Sequence, residues 1–169
     1  ETVASWPSER VTTHRVALPA GAVDFVVGDF LDFRFTSDDG EEEPTLFDAA
    51  FDRGALVAVE PADRAAYVET LARNMRPGGR VLLVATEHEA FRKKSPKAKS
   101  LSGPPYSLPQ EALVQLVGGL FDVQHLGTEE RIDLDPTWRD RGLDSFLETS
   151  YLLVRTAASS SGTNDNDEL

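Results

Sequence analysis

The chain has no cysteine, which removes disulfides, thiolate nucleophiles and cysteine-ligated zinc from consideration while leaving the redox compartment open. Its three histidines, His14, His88 and His125, fall on different predicted elements. They form no His, Asp and Ser set, and each reads as a surface or boundary residue rather than a base or ligand. No metal site is expected. Positive charge is scarce: 17 Lys and Arg stand against 29 Asp and Glu, a formal net charge of -12. Phosphate binding needs a concentrated basic face, so nucleic acid is not an expected partner. No apolar run approaches the roughly 20 residues that cross a bilayer as a helix, and no membrane partner is expected. The sequence opens at Glu1 with neither a methionine nor a basic-then-apolar leader, which suggests a trimmed or partial chain.

What is present suits one folded domain with a hydrophobic core, since 169 residues lie well within the usual domain range. Residues 1–22, with Pro7 and Pro19 and no sustained period, are expected to be an irregular or partly helical lead-in. Val23 to Val27 is rich in β-branched and aromatic residues and ends at Gly28-Asp29-Phe30, the pattern of a short parallel core strand running into a turn. The acidic run Asp38 to Glu43 repels itself and reads as a solvated loop.

The stretch Phe47 to Gly54, running on into Ala55 to Val59, organises the rest. It is apolar enough for a buried strand, yet it carries Asp52, Arg53 and Gly54. In an open α/β sheet the ligand crevice lies beyond the carboxyl ends of parallel strands, which would place Asp52 and Arg53 where chemistry is done. Pro61 to Arg76 has apolar residues at helical spacing, with Pro61 suited to the first turn and Asp63 complementing the positive helix end. After Pro77-Gly78-Gly79 the run Arg80 to Ala85 is continuous and apolar, as in a strand buried on both faces. Strand, strand, helix, strand in this order predicts a parallel sheet.

Glu89 to Ser102 holds two basic clusters and is expected to be a solvated loop. Gly103-Pro104-Pro105-Tyr106 is stiff, because each proline fixes its own φ and restricts the residue before it. Ser107 and Gln110 have capping-box spacing ahead of a helix with Leu113, Leu116, Val117 and Leu120 on its buried side. Phe121 to Leu126 alternates as a strand does, and Ser145 to Arg155 is a final strand paired antiparallel with it across a polar segment holding Trp138, Arg139 and Arg141. Residues 157–169 have almost no apolar content and are expected to be a disordered acidic tail.

Gly28-Asp29-Phe30, then Asp52-Arg53-Gly54-Ala55-Leu56-Val57-Ala58-Val59, then Pro61, Asp63, Arg64 and Tyr67, then Met75-Arg76-Pro77-Gly78-Gly79, then Gly103-Pro104-Pro105-Tyr106 stand in a fixed order. Together they resemble the later half of a class I S-adenosylmethionine-dependent methyltransferase, and more narrowly the thiopurine S-methyltransferase family, from about Val23 to Val154. The resemblance implies an α/β, Rossmann-like sheet with helices on both faces and a methyltransferase domain over residues 23–156. It implies S-adenosyl-L-methionine as cofactor, a small-molecule thiol or thiopurine as methyl acceptor, a monomer and a cytoplasmic location. It places Asp29 and Phe30 at the adenine and Arg53 at the boundary of cofactor and acceptor, as both a cofactor-binding and a catalytic residue. It makes Pro104, Pro105 and Tyr106 a wall of the acceptor pocket and Arg139 or Arg141 a second, substrate-side arginine. The family's first strand with its glycine-bearing turn, and a second strand ending in an acid, are not found before Val23. The N-terminal cofactor-binding half is therefore expected to be missing, with at most half a cofactor site in this chain. Two alternatives stay open: a related methyltransferase acting on halide, thiol, selenium or tellurium acceptors, and a truncated, non-catalytic methyltransferase-like domain.

Overall fold

The computed structural model describes residues 12–34, 46–88 and 103–157. The acidic run at 38–43, the basic clusters within 89–102 and the tail beyond Ala157 lie outside the described residues. Two sheets are present: a two-stranded hairpin of β1 (Thr12–Leu18) and β2 (Gly21–Val27), and a four-stranded sheet in the order β3 (Phe47–Arg53), β4 (Met75–His88), β6 (Phe146–Arg155), β5 (Phe121–Glu130). β3 and β4 are parallel, and β6 runs antiparallel to both of its neighbours. The helices are a single turn, α1 (Ala55–Ala58), then α2 (Arg64–Arg73), α3 (Gln110–Val117) and a short α4 (Pro136–Asp140).

The helical layer sits on one face of the large sheet. Val81, Leu83 and Ala85 of β4 and Tyr151 and Leu153 of β6 point into a core shared with Leu56 and Val57 of α1, Tyr67 and Val68 of α2, and Leu113 and Val117 of α3. Period-two alternation sends the residues between them to the opposite face, where Phe51 is 67% exposed and Leu82 40% exposed. Among the described residues α1, α2 and α3 all join the one core, so β4 is covered on one side rather than on both.

Several local expectations are corrected. Val23 to Val27 is a strand, but it is antiparallel and lies in the hairpin with β1, not in the parallel sheet. The supposed irregular lead-in supplies β1, because Gly21, at φ 151°, lets the chain reverse after Pro19 and Ala20, and Arg15 closes on Asp24 across the strands at 2.8 Å. Local composition identified β2 without revealing its partner. The strand at Phe47 does end where its acid, base and glycine stand, at Arg53, and Gly54, at φ 93°, turns the chain into α1. The helix at Pro61 to Arg76 is shorter, starting only at Arg64, and Met75 already belongs to β4. Ser107 does not cap α3; Pro109 holds the cap position, and the Ser107 hydroxyl accepts from the His88 amide at 3.0 Å.

The turn after β2 is fastened to the helical layer. Thr70 Oγ1 and Arg73 Nη2 donate to the Leu31 carbonyl at 2.9 and 2.6 Å, and Asn74 Nδ2 donates to Phe33 O at 3.1 Å.

Candidate active site

β3 and β4 both end, in the parallel sense, at the edge where α1 begins, and the residues brought together there surround a hollow of about 620 Å³. The neighbours Asp52 and Arg53 have opposite surroundings, as successive strand residues must. Asp52 turns into the helical layer and is buried. Its carboxylate accepts from the Tyr67 hydroxyl at 2.8 Å, from the Ala55 amide at 3.0 Å and from the Leu56 amide at 3.3 Å. Burial, reinforced by the Asp52 charge and hydrogen bond, pushes the Tyr67 phenol well above its ordinary range, so it stays a donor. Asp52 is thus a structural clamp on the β3–α1 turn, not a chemical group at the hollow. Arg53 points the other way, its side chain is 57% exposed, and it lines the hollow.

Pro104 and Pro105 line one side of the hollow. They are held by bonds on either side: the Tyr106 amide donates to Val57 O at 2.7 Å, the Leu108 amide to Thr86 O at 2.8 Å, and Arg64 Nη2 to Tyr106 O at 2.9 Å. Burial pushes the Arg64 guanidinium down from its usual value, with Tyr106 opposing that shift. The Tyr106 ring does not line the hollow; its hydroxyl donates to Glu60.

The opposite wall was not foreseen. Trp138 of α4 stacks on Phe146 of β6 with ring centroids 4.2 Å apart, and both line the hollow with Leu134. The turn carrying them is tied down by Glu130, whose carboxylate accepts from the Ile132 and Phe146 amides at 2.9 Å each and from Ser145 Oγ at 2.5 Å. Desolvation would raise the Glu130 pKa, but these donors outweigh it and hold the group below the usual carboxylate value.

The two proposed substrate-side arginines are elsewhere. Arg139 pairs with Asp133, and the Arg141 guanidinium lies over the Trp138 ring at 4.9 Å, so it touches the back of the wall rather than the hollow. The second guanidinium at the hollow is Arg131, at the end of β5. Glu148 lies between the two: its Oε1 is 3.4 Å from Arg53 Nη2 and its Oε2 is 3.2 Å from Arg131 Nε. The period-two pattern around Phe146 to Tyr151 would have put Glu148 on the face opposite the core, but only strand register shows what it meets.

Asp29 and Phe30 line neither this hollow nor a second one of about 530 Å³ that shares Arg53, Arg131 and Glu148 with it. Asp29 accepts from the Leu31 amide at 2.9 Å, and Phe30 packs on Tyr67 at 4.6 Å between centroids. Phe30 is linked toward Arg53 through Tyr67 and Asp52. His88 Nε2 is 3.0 Å from Pro105 O and His125 Nε2 is 2.9 Å from Thr128 Oγ1, and neither ring lines the hollow.

A mixed sheet closed by an antiparallel strand, with its hollow beyond the ends of β3 and β4, is the class I S-adenosylmethionine-dependent methyltransferase fold. Haemonchus contortus phosphoethanolamine N-methyltransferase 2, solved in complex with S-adenosyl-L-methionine, superposes with a TM-score of 0.53 at 18% identity, over 78% of this chain and 37% of that one. The chain belongs to the thiopurine S-methyltransferase family, whose model it matches over residues 2–156. The thiopurine S-methyltransferase of Methylococcus capsulatus is 32% identical over 110 residues, 65% of this chain and 46% of that protein. The Rattus norvegicus thiopurine S-methyltransferase is 36% identical over 108 residues, 64% of this chain and 41% of that protein. The chain thus spans about half the length of the curated relatives it matches.

Proposed function

We propose that this chain carries the acceptor side of an S-adenosyl-L-methionine-dependent methyltransferase whose acceptor is the sulfur of a small aromatic thiol or thiopurine. The observation that carries the reading is the hollow itself, with stacked Trp138 and Phe146 on one side, Pro104 and Pro105 on the other, and Arg53 at the strand end. Its apolar walls suit a planar ring. Arg53 fits the cofactor's carboxylate or an anionic acceptor, because among the described residues one long ion pair engages its fork of donors.

When bound, S-adenosyl-L-methionine supplies a methyl group already activated by the positive charge on sulfur. The chain's residues then have to orient the acceptor and keep water out, work that positioning alone can do. Aromatic thiols ionise readily, so the reaction does not require a residue to remove the proton. Arg53 holds negative charge at the strand end, the two prolines and the two rings fix the acceptor plane, and Asp52 keeps the β3–α1 turn in shape from beneath. Asp29 and Phe30, on the far side of Tyr67, are the residues proposed for the adenine.

Titration calorimetry with S-adenosyl-L-methionine, followed by transfer of labelled methyl to thiophenol, tests the reading in a version of the chain extended at its N-terminus. There, binding together with thiol methylation that Arg53→Ala lowers by at least tenfold is expected. Methylation of amines in preference to thiols would overturn the choice of acceptor.

A further inference from the structure

Glu148 and Glu129 face each other directly across β6 and β5. Like charges in that relation destabilise a sheet, and a residue pair that breaks a local rule often marks a site with a task. Here the conflict is relieved by Arg131, whose Nη1 is 3.1 Å from Glu129 Oε2 while its Nε is 3.2 Å from Glu148 Oε2. Glu129 is the outer partner, with 74% of its side chain exposed, whereas Glu148 is only 23% exposed. The inner carboxylate spends one oxygen on each guanidinium, Oε1 on Arg53 and Oε2 on Arg131. Both contacts exceed the 2.7–2.9 Å of tight charge-assisted bonds. Among the described residues the bridge engages Arg53 through Nη2 and Arg131 through Nε and Nη1, which leaves further donors on both arginines.

Among the described residues, the charges lining the hollow balance: Arg53 and Arg131 against Asp135 and Glu148. Asp135 Oδ1 is already committed to the Thr137 amide, at 3.0 Å, and to the Thr137 hydroxyl. Glu148 is the carboxylate standing between the cations, where a ligand's own anionic group would have to sit. An acceptor with a carboxylate substituent must share or displace it, while a neutral acceptor leaves the bridge intact.

We propose that Glu148 is a specificity-determining residue, an internal anion between Arg53 and Arg131 that sets how strongly the hollow favours acceptors bearing a separate negative charge. The proposal rests on the reading of the hollow as the acceptor site.

The test needs neither turnover nor cofactor. The full chain is titrated, with protein-observed NMR, against 2-(methylthio)benzoate and its neutral counterpart 2-(methylthio)benzamide, analogues of a methylated product. Glu148→Gln should shift the ratio of the two dissociation constants toward the benzoate by at least fivefold, and Glu148→Asp, which keeps the charge, should stay within about twofold of the parent ratio. Arg131→Gln should move the ratio at least threefold the other way, since Glu148 then neutralises Arg53 alone. This arm reads the same bridge if Glu148→Gln does not fold. Ratios unchanged in Glu148→Gln and Arg131→Gln, with both ligands still bound, would overturn the role of Glu148 and leave the acceptor site standing. Failure of the parent chain to bind either ligand would overturn the acceptor reading and this proposal with it.

Discussion

The two faces of the large sheet are built from the same strands and do different work. On the covered face Leu83, Tyr151, Leu153, Leu113 and Val117 are buried almost completely, and Asp52, the one buried carboxylate among the described residues, accepts locally from Tyr67 and the first amides of α1. On the other face Phe51 and Leu82 remain exposed, and charge is handled by looser bridges between distant segments, Arg53 to Glu148 to Arg131. The covered face derives its stability from area and packing. The other face and the strand ends carry charges in long, partly exposed bridges, with little stability at stake. Asp52 and Arg53 condense the contrast into two adjacent residues.

The largest expected effect would come from Leu83→Ala. Removing a fully buried leucine costs about 2–5 kcal/mol, and urea unfolding should show it, whereas the same change at Leu82, the next residue on the exposed face, should stay within about 1 kcal/mol. Equal losses at the two positions would erase the distinction between the faces. Asp52→Ala comes next: it strands the buried Tyr67 hydroxyl and the Leu56 amide, a loss of about 1–3 kcal/mol, while Arg53→Ala, which breaks one exposed ion pair, should change the melting free energy by less than about 1 kcal/mol. A reversed order would mean that Arg53 holds the fold and Asp52 the ligand.

Gly79→Ala probes the close approach of β3 and β4 at the start of their pairing. A Cβ there would meet the Arg76 carbonyl at 2.8 Å, Met75 Cε at 3.0 Å and the Phe47 carbonyl at 3.2 Å, and the backbone atoms cannot swing aside. Thermal melting should register overpacking of roughly 1–3 kcal/mol. The smallest effect is expected from Glu130→Gln, and its sign depends on pH. Because donors hold the Glu130 pKa below its usual value in the folded chain, its stabilising contribution is present above the ordinary carboxylate pKa and fades as pH falls through the lowered folded value. The variant should melt below the parent at pH 7, and the gap should close in acid. A gap that widened on acidification would place the Trp138 wall under some other control.

Much of the covered face was legible in the sequence. Helical spacing located α2 and α3, the apolar run Arg80 to Ala85 announced β4, although the strand already begins at Met75, and alternation together with the polar stretch between them gave the antiparallel β5 and β6. The adjacent prolines line the hollow, and the stiffness that suits them to such a place is a property of the residues themselves. The hairpin was half visible: β2 shows in its composition, but its partner is chosen by a turn at Gly21 and by Arg15 meeting Asp24, neither of which local periodicity encodes.

The sequence by itself determined the family, the segments from Phe47 onward that become the sheet's strands and the placing of a guanidinium at the end of β3, because these follow from local propensity, motif and spacing. Tertiary structure decided that Arg131, rather than Arg139 or Arg141, shares the hollow with Arg53, that Glu148 lies between them, and that Trp138 stacks on Phe146. Arg53 and Glu148 are 95 residues apart. A contact of that kind exists only once strand register has set which side chains face each other, and register is a property of the assembled sheet, not of any one segment.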